Sequence, residues 1–547
     1  MSHPTLHRKS ALSCAALVLA ATLAACGGGS DDTPAPAPAP TPVPVGDTVA
    51  LTASGRLVSF NRATPATLVG TVALSGLNSG ESLLGIDVRP ADGKLYALTS
   101  AGRIVTIDPS TGVATVKSSL QATAGDDNAF VMLTGAVYGV DFNPVADRMR
   151  VVSDAGQNLR INVDTGAVIT DGVITPVSGT VRIGASAYTN SFAGTTTTQL
   201  FDVDAVTGLL HLQDPPNNGT LAAGLPLGVT GTGSDGFDID ARNNAGWLAL
   251  GSGSGASTLY RVSLSTGAAT LVDTVAGGEA IAGLALMQSA APTALGLTTD
   301  NRLVSFDPKT PTTLTATTAI TGLAAGELVL GIDTRPVDGV LYALTSSGRI
   351  VTLDPATGAA TARTTLAADP ADLTTPYTAL AGTVFSVDFN PVADRLRVIS
   401  DAGQNLRINV DTGATTTDGA INRAIAATVH AAAYSNTFAG TTATTLFNLE
   451  GASDVLTQQV PPNDGTLVNV GAFGVDISGL AGFDIGGGAN GLALAALRPS
   501  GSGPYLLYSV ALTTGAATLY RNTSGDATLS QIGGASGPAL RDLAIRF

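Results

Sequence analysis

The sequence predicts an all-β protein built from two tandem β-propellers, each with five four-stranded blades. Three observations lead to this prediction. Gly, Thr, Ala, Val and Leu dominate, and glycine and proline interrupt the chain every few residues, as expected of short strands joined by tight turns. Most of the chain occurs twice in the sequence. Within each of the two copies, a pattern of strand and turn recurs at short intervals, which is the signature of a blade array.

The N-terminal residues resemble a bacterial lipoprotein signal peptide. A basic segment at 7–9 precedes an apolar run at 11–22, which is too short to span a bilayer. The run ends in LAAC at 23–26, which is similar to a lipobox. The resemblance implies that residues 1–25 are removed and that Cys26 carries the lipid. An ordinary cleavage site with an incidental cysteine is the alternative interpretation.

A tether is predicted at residues 26–47, between the lipidated cysteine and the first propeller. Its Gly/Ser start and its alternating Pro and Ala favour an extended, semi-rigid spacer. Gly27 follows the cysteine, which implies the outer membrane, on its periplasmic face or at the cell surface of a bacterial envelope. Cys14 lies within the signal peptide, so the mature chain contains no pair of cysteines for an internal disulfide.

The charge pattern excludes some partners. Charged residues make up 13% of the chain and the formal net charge is −15, with no run of Lys or Arg. This composition argues against nucleic acid and against an anionic membrane surface as partners. We therefore expect contact with the membrane through the lipid anchor alone, and a protein or a polysaccharide as the partner.

The long repeat sets the domain boundaries. LVSF at 57–60 returns at 303–306, LYALTS at 95–100 returns at 341–346, and FAGTT at 192–196 returns at 438–442. The first copy is predicted over 48–288, a short linker over 289–293, and the second copy over 294–547.

The short repeat predicts the blades and how each ring ends. Each blade opens with a strand of the form Gly, apolar, small or acidic, apolar, as in GIDV at 85–88 and GVDF at 139–142. The first blade of copy one lacks this strand, and IAGLALM at 281–287 can supply it from the far end of the copy. RDLAIRF at the end of the chain can do the same for copy two. Such pairing would close each ring and remove its exposed edges. A single ten-bladed ring is the alternative.

Both copies resemble a bacterial family of unknown function, family 4394. The resemblance rests on LLGIDVRPADGKLYALT, VDFNPVADRMRVVSDAGQNLRINVDTG and AYTNSFAG, together with their counterparts in copy two. It covers nearly everything after residue 47. It implies the fold and an extracytoplasmic setting, and it implies no activity.

The opening strands carry the first set of candidate site residues. An aspartate stands at the third position of the strand motif in three blades of each copy, and the innermost strands of a propeller surround its central channel. Three carboxylates near one axis would suit a hard cation, with Ca²⁺ as the expected ion. The alternative is that each carboxylate accepts backbone N–H groups of the neighbouring blade. The residues are Asp87, Asp141, Asp238, Asp333, Asp388 and Asp484.

The second set lies in a segment that is nearly identical in the two copies. VDFNPVADRMRVVSDAGQNLRINVDTGA at 140–167 returns at 387–414 with two changes. Its arginines and asparagines either form a face that binds a polar or anionic ligand, or pair with Asp147, Asp154, Asp164 or backbone carbonyls as a structural network. The candidate face comprises Arg148, Arg150, Asn158, Arg160, Arg395, Arg397, Asn405 and Arg407.

The residues favour binding over catalysis. Our leading hypothesis is a lipid-anchored, extracytoplasmic tandem propeller that acts as a non-catalytic ligand- or protein-binding scaffold. The alternative is a carbohydrate-active hydrolase that uses channel-facing carboxylates, with Glu81 and Glu327 on the loops before the opening strands. No catalytic residue is assigned. His211 and His430 do not correspond between the copies, which leaves a histidine-based metal site or a catalytic triad without support.

Overall fold

The computed structural model describes residue 1 and residues 40–233, 235–251, 253, 255–287, 292–487, 492–520 and 524–547. The predicted signal peptide, Cys26 and most of the tether therefore lie outside the described residues. The chain divides into two compact units, Met1–Thr41 and Pro42–Phe547, and every strand belongs to the second. None of the helices in the described residues is long and apolar enough to cross a membrane.

The first copy contains strands β1 to β21. They are β1 (Thr48–Thr52), β2 (Arg56–Phe60), β3 (Leu68–Ala73), β4 (Leu83–Val88), β5 (Leu95–Thr99), β6 (Arg103–Ile107), β7 (Ala114–Ser119), β8 (Gln121–Ala122), β9 (Tyr138–Asn143), β10 (Arg148–Ser153), β11 (Asn158–Ile161), β12 (Ala167–Thr170), β13 (Ala185–Tyr188), β14 (Leu200–Asp204), β15 (Leu209–Gln213), β16 (Leu225–Pro226), β17 (Asp235–Ile239), β18 (Gly246–Gly251), β19 (Ser257–Val262), β20 (Ala269–Thr274) and β21 (Ile281–Leu286).

The second copy contains strands β22 to β42. They are β22 (Thr293–Thr298), β23 (Arg302–Phe306), β24 (Leu314–Ala319), β25 (Val329–Thr334), β26 (Leu341–Thr345), β27 (Arg349–Leu353), β28 (Ala360–Thr365), β29 (Ala367–Ala368), β30 (Phe385–Asn390), β31 (Arg395–Ser400), β32 (Asn405–Ile408), β33 (Ala414–Thr417), β34 (Val429–Tyr434), β35 (Leu446–Glu450), β36 (Val455–Gln459), β37 (Leu467–Ala472), β38 (Gly482–Gly486), β39 (Leu492–Leu497), β40 (Leu506–Val510), β41 (Ala517–Leu519) and β42 (Leu540–Arg546). Strand β22 begins at Thr293, one residue before the predicted start of the copy.

The helical content is small, which agrees with the predicted all-β fold. The described residues include short 3₁₀ helices at Pro216–Asn218, Pro462–Asp464, Pro499–Gly501, Ala527–Ser530 and Gly534–Ser536.

The strands form ten sheets in the described part of the chain, five in each copy. In copy one the orders are β21-β1-β2-β3, β4-β5-β6-β7, β8-β12-β11-β10-β9, β13-β14-β15-β16 and β17-β18-β19-β20. Copy two repeats this organisation. The third sheet of each copy has a fifth strand where four were predicted, because the two-residue strands β8 and β29 pair in parallel with β12 and β33.

The first sheet of each copy takes its opening strand from the end of that copy. β21 pairs with β1, and β42 pairs with β22, both antiparallel. The sequence predicts both pairings, because each copy lacks an opening strand at its start. The opening strands also contact one another in succession: β21 contacts β4, β4 contacts β9, β9 contacts β13, β13 contacts β17, and β17 contacts β21.

The core lies between neighbouring sheets and not within any one of them. Strands alternate side chains between their two faces, so a sheet covered on both sides can place apolar residues on each. One apolar cluster joins the first and second sheets of copy one, through residues such as Leu57 and Val105. Another joins its fifth and first sheets, through Leu259 and Phe60. Each sheet is therefore held by the burial of side chains against its neighbours.

Candidate functional site

The opening strands of neighbouring sheets approach one another very closely, which explains the glycine of the strand motif. A Cβ atom at Gly85 would lie 2.4 Å from Cγ2 of Val140 on the next opening strand. A Cβ atom at Gly482 would lie 2.6 Å from the backbone nitrogen of Leu543. At these two positions, a residue with a side chain would collide with the neighbouring strand. The close approach of the strands places the aspartate, two residues after the glycine, at hydrogen-bonding distance from the backbone of the neighbouring strand.

In copy one, each motif aspartate bonds to the next opening strand. Asp87 Oδ2 accepts the amide hydrogen of Phe142 at 2.7 Å, and Asp141 Oδ1 accepts that of Tyr188 at 3.1 Å. Asp238 Oδ2 accepts the amide hydrogen of Leu286 on β21 at 2.7 Å, and Asp238 Oδ1 accepts that of the following residue, Ile239. The carboxylates therefore link adjacent sheets, as the structural interpretation of the motif proposes.

Copy two repeats these bonds. The amides of Phe389, Tyr434 and Ile545 lie 2.6, 3.0 and 2.5 Å from the accepting carboxylate oxygens. The acceptors, in the same order, are Asp333, Asp388 and Asp484. Both copies therefore use the same three points of contact between neighbouring opening strands.

The carboxylates also lie beside one another. In each copy, one carboxylate oxygen from each of the three aspartates can be chosen so that all three lie within 4.8 Å of one another, and all of these residues are buried. Asp87, Asp141 and Asp238 form the first cluster, and Asp333, Asp388 and Asp484 form the second. We call them the carboxylate triads. The grouping is the one that the sequence predicts from the position of aspartate in the motif.

Burial is the main electrostatic effect in both triads. It raises the pKa of Asp238 to about 7 and that of Asp484 to about 6. It also raises the pKa of Asp87 and of Asp141 well above the ordinary range, with a further contribution from the neighbouring carboxylates. Three buried negative charges at this separation repel strongly. Either shared protons or a bound cation must reduce the charge of each triad.

The donor set suits a hard cation. Ca²⁺ binds six to eight oxygen ligands, mainly carboxylates, carbonyls and water. Each carboxylate oxygen has two lone pairs, so one amide bond leaves capacity for a metal. Asp87, Asp141 and Asp238 could hold an ion in copy one, and Asp333, Asp388 and Asp484 could hold one in copy two.

Copy two has a fourth buried carboxylate that was not predicted from the sequence. Asp542 stands at the glycine position of the motif in β42, where copy one has Gly283. Its Oδ2 accepts the amide hydrogen of Ile332 on β25 at 2.9 Å, and burial raises its pKa well above the usual range. The strand motif predicts the carboxylate at its third position, whereas Asp542 makes the same kind of bond to a neighbouring strand from the first position. The aspartate in RDLAIRF was the available signal.

The arginines of the repeated segment are internal. Arg150 has 1% of its side chain exposed. It donates from Nε to the hydroxyl of Tyr188 at 3.1 Å and from Nη1 to Asn158 Oδ1 at 2.7 Å and Asp171 Oδ2 at 2.6 Å. Its Nη2 donates at 2.8 Å to Asn217, which lies in the 3₁₀ helix between β15 and β16 of the next sheet. This guanidinium therefore joins two sheets.

Copy two contains the same network. Arg397 donates to Tyr434 at 3.2 Å, to Asn405 at 2.8 Å, to Asp418 at 2.5 Å and to Asn463 at 2.8 Å. The partners differ from those named in the sequence analysis, because Asp171 and Asp418 lie outside the repeated segment.

The other candidate arginines are less buried. Arg160 forms a two-point contact with Asp171, at 2.6 and 2.8 Å, and Arg148 donates to backbone carbonyls of the turn before it. Arg407 and Arg395 make the corresponding bonds in copy two. The carbonyl partners were predicted for this set. The side chains of Arg160 and Arg407 remain about one-third exposed, at 31% and 35%.

Asp147 and Asp164 bind a different arginine. Arg89 follows β4 and donates from Nε and Nη2 to both oxygens of Asp147, at 2.8 and 2.5 Å. Its Nη2 also reaches Asp164 at 3.0 Å. Arg335 makes the corresponding bonds in copy two. These contacts clamp the second sheet to the turns of the third. The sequence analysis did not single out either arginine.

Every glutamate of the chain is in an ion pair with an arginine. The pairs are Glu81–Arg103, Glu279–Arg56, Glu327–Arg349 and Glu450–Arg423. The Arg103 guanidinium lowers the pKa of Glu81 to about 2, and the Arg349 guanidinium lowers that of Glu327 further. A carboxyl held ionised in this way is a poor proton donor at neutral pH.

Two clefts lie where the copies meet within the unit Pro42–Phe547. One, of about 510 Å³, is lined by Asp333, Asp484 and Arg335 of copy two and by Arg242 and Asn243 of copy one. It therefore reaches the second carboxylate triad. The other, of about 610 Å³, is lined by uncharged polar side chains, by Arg261 and by apolar residues such as Phe438. Both volumes are in the range of small-molecule sites.

Taken together, the fold and the site define a class of protein: an all-β tandem repeat of propeller-like antiparallel sheets with buried carboxylates at their opening strands. The sequence model for the domain of unknown function DUF4394 matches residues 56–285 and 302–533, so the chain belongs to this family. The resemblance found from the sequence is confirmed.

Comparisons with other proteins give distant structural likenesses. The structure of the Dos1 propeller is similar at 13% identity and a TM-score of 0.25, over 66% of this chain and 92% of that one. A catalytically inactive virginiamycin B lyase from Staphylococcus aureus, solved with quinupristin, is similar at 12% identity and a TM-score of 0.20, over 60% of this chain and 94% of that one. We draw nothing about function from likenesses at this level. A search of curated proteins found no match.

Proposed function

We propose that this chain is a lipid-anchored, extracytoplasmic tandem β-propeller that acts as a non-catalytic binding and scaffold module. The proposed location is the bacterial cell envelope, at the outer membrane. The anchor on Cys26 is its contact with the membrane, and a protein or a polysaccharide is its partner. The low content of positive charge supports the exclusion of nucleic acid.

The proposal includes two closed rings of five blades. The pairing of β21 with β1 and of β42 with β22 supports it, as does the succession of contacts among the opening strands. Apolar packing between the fifth and first sheets of each copy adds further support. Closed rings give a rigid frame without free strand edges, which suits a scaffold that is exposed outside the cytoplasm.

The observation that carries the non-catalytic proposal is the use of the acidic residues. All four glutamates are paired with arginines, and the aspartates of both triads bond to backbone amides of neighbouring strands. A hydrolase of the predicted kind needs two carboxyl groups free to act on one bond. Here these groups hold sheets together, while the clefts between the copies offer space for a ligand.

One observation favours the hydrolase as a second candidate. Asp333 and Asp484 line the cleft of about 510 Å³, and burial raises the pKa of Asp484 to about 6, which is suitable for a general acid. Incubation of the purified chain with cell-wall and storage polysaccharides, followed by mass spectrometry, tests this candidate. Turnover that is lost in Asp484→Asn would establish catalysis. No product is expected.

The anchor is tested by fractionation. Cys26→Ser should release the protein from the membrane fraction, because the lipid is the proposed attachment. Cys14→Ser is the matched control, because it changes the other cysteine within the predicted signal peptide and should leave the protein membrane-bound. Retention of Cys26→Ser in the membrane fraction would show that the lipobox interpretation is wrong.

A further inference from the structure

The FAGTT motif, at 192–196 and 438–442, places one loop of each copy against the other copy. In copy one, Phe192 is 2% exposed and packs edge-on against Phe547 of copy two, with ring centres 5.2 Å apart. The hydroxyl of Tyr520 donates to the carbonyl of Gly194 at 2.8 Å. A cavity of only about 40 Å³ remains beside this loop. We call this contact the filled junction.

The corresponding loop of copy two forms a different contact. Phe438 is partly exposed, and with Thr442 it lines the cleft of about 610 Å³, whose opposite wall includes Arg261 of copy one. We call this cleft the open junction. The two junctions use equivalent parts of the repeat, because Arg261 in TLYRV corresponds to Ser509 in LLYSV of the filled junction.

The sequence differences explain why only one junction is filled. The string GAATL at 515–519 is followed by Tyr520, and the same string at 267–271 is followed by Val272. The tyrosine ring and its hydrogen bond close the filled junction. Valine has neither the length nor the hydroxyl to do so. The open junction therefore remains a cleft at a place where, in the other junction, a tyrosine side chain occupies the space.

The lining of the open junction has a consistent chemistry. Asparagine, glutamine, serine and threonine side chains provide both donors and acceptors, and Phe438 provides an aromatic surface. Arg261 is the one charged side chain among its described lining residues. The side chains of Gln199 and Arg261 make no hydrogen bond or ion pair with any described residue, so they are available to a ligand. Amides, hydroxyls and an aromatic face together match a molecule rich in hydroxyl groups.

We propose that the open junction binds a glycan segment, with Gln199 and Arg261 donating hydrogen bonds to its oxygens and Phe438 packing against a sugar face. This inference rests on the proposed binding function and names the ligand class and the site for it. Because both copies line the cleft, neither propeller alone would form the site. Arg261 also favours glycans that carry a carboxylate, since a guanidinium pairs well with one.

The test is a glycan array probed with the purified full chain and with variants. Arg261→Ser combined with Gln199→Thr introduces the residues that copy two has at the corresponding positions, so the fold should accept both. We expect one class of glycan to bind, and the double variant to bind it at least ~10-fold more weakly, since each lost hydrogen bond to a charged or amide group contributes measurably. Ser509→Ala at the filled junction is the matched control and should bind as the unaltered chain does.

Two results would overturn the inference: no glycan retained by the unaltered chain, or a bound glycan whose affinity the double variant leaves unchanged. Equal melting temperatures of chain and variants establish that a loss of binding is not a loss of fold. The outcomes are separable from those of the proposed function. Absence of glycan binding in a chain that is membrane-anchored through Cys26 removes this inference alone, whereas cleavage of the bound glycan refutes the non-catalytic proposal and supports the site.

Discussion

Replacing Arg150 by methionine should destabilise copy one severely if this side chain is a structural link. The guanidinium is almost completely buried and donates to four partners in two sheets. Methionine retains much of the apolar stem and removes every donor. Asp171 keeps Arg160 as a partner, at 2.6 and 2.8 Å, so its charge stays compensated. The side-chain oxygen of Asn158, which is almost fully buried, is then left without this donor, whereas Asn217 is exposed and can bond to water instead.

The magnitude follows from these losses. Breaking a buried ion pair typically costs about 3–5 kcal/mol, and an unsatisfied buried acceptor costs about 1–3 kcal/mol. The remaining pair of Asp171 with Arg160 places the ion-pair contribution at the lower end. We therefore expect Arg150→Met to lower the free energy of unfolding by about 3–5 kcal/mol. A residue that serves only as a ligand contact on an open face would cost less than about 1 kcal/mol.

Urea unfolding, followed by circular dichroism and tryptophan fluorescence, measures this change. Trp247 is the only tryptophan of the chain and lies in copy one, so fluorescence reports on that copy. Arg397→Met removes the equivalent network in copy two and should shift the transition seen by circular dichroism with little change in fluorescence. Arg148→Met is the matched control, because that side chain donates only to nearby backbone carbonyls.

A loss of less than about 1 kcal/mol in Arg150→Met would refute the structural interpretation. Equal losses in Arg150→Met and Arg148→Met would do so as well. In either case the four hydrogen bonds would not contribute to stability, and the arginine would be better explained by a ligand.

Four further predictions concern the carboxylate triads and the contacts between sheets. Burial raises the pKa of Asp238 to about 7 in the folded state, so between about pH 4 and pH 7 the native state holds a proton that the unfolded chain has released. In EDTA, the free energy of unfolding should therefore rise as the pH falls from 8 to 5. Asp238→Asn should flatten this dependence, and an unchanged slope would argue against the raised pKa. Calcium should stabilise the unaltered chain at pH 8 more than at pH 5 if a triad holds the ion, which thermal melting measures. Gly139→Ser should destabilise the protein, since a Cβ there would lie 2.6 Å from Ser186 Oγ and 2.7 Å from its backbone nitrogen. Ser186→Ala removes the hydroxyl and should recover part of the loss, giving a coupling of about 1 kcal/mol or more in a double-mutant cycle; additive effects would contradict this. Arg89→Lys should lower the melting temperature although the charge is kept, because lysine cannot make the two-point contact with Asp147, and equal melting temperatures would show that the clamp contributes little.

The fold was largely predictable because it depends on local patterns that repeat. Alternating strands, glycine turns and the missing opening strand of the first blade each follow from short stretches of sequence. The pairing of β21 with β1 required only that a strand without a partner exist at each end of the copy. The triads were predictable for the same reason, since an aspartate at one position of a repeated strand must recur at one level of the repeated fold.

The partners of the arginines were not predictable in this way. Arg150 bonds to Asn217, in a connection between strands of the following sheet, and Asp147 bonds to Arg89, at the end of a strand of the preceding sheet. These pairs depend on how far adjacent sheets are rotated and offset, which no local pattern records. The same is true of the fifth strand in the third sheet, because β8 contributes only two residues and pairs with a strand far along the chain.

The two copies also show where the molecule tolerates change. At one contact between opening strands, copy one has Gly139 facing Ser186, while copy two has Ser386 facing Ala432. In copy two the Ser386 hydroxyl accepts the amide hydrogen of Ala432 at 2.6 Å. The hydroxyl has moved from one strand to the other, and the contact retains one hydroxyl and one small residue. At this contact, the two differences between the copies compensate each other.

At the open junction, the differences between the two copies are not compensated by a second substitution. Arg261 and Gln199 of the open junction correspond to Ser509 and Thr445, and no described residue of the cleft forms an ion pair or hydrogen bond with either of the larger side chains. Substitutions inside the fold preserve a contact within the chain, because a buried polar group without a partner is costly. An arginine and a glutamine that have no such internal partner face solvent or a ligand. This contrast supports the proposal that the open junction, which both copies line, is the surface where this chain binds its ligand.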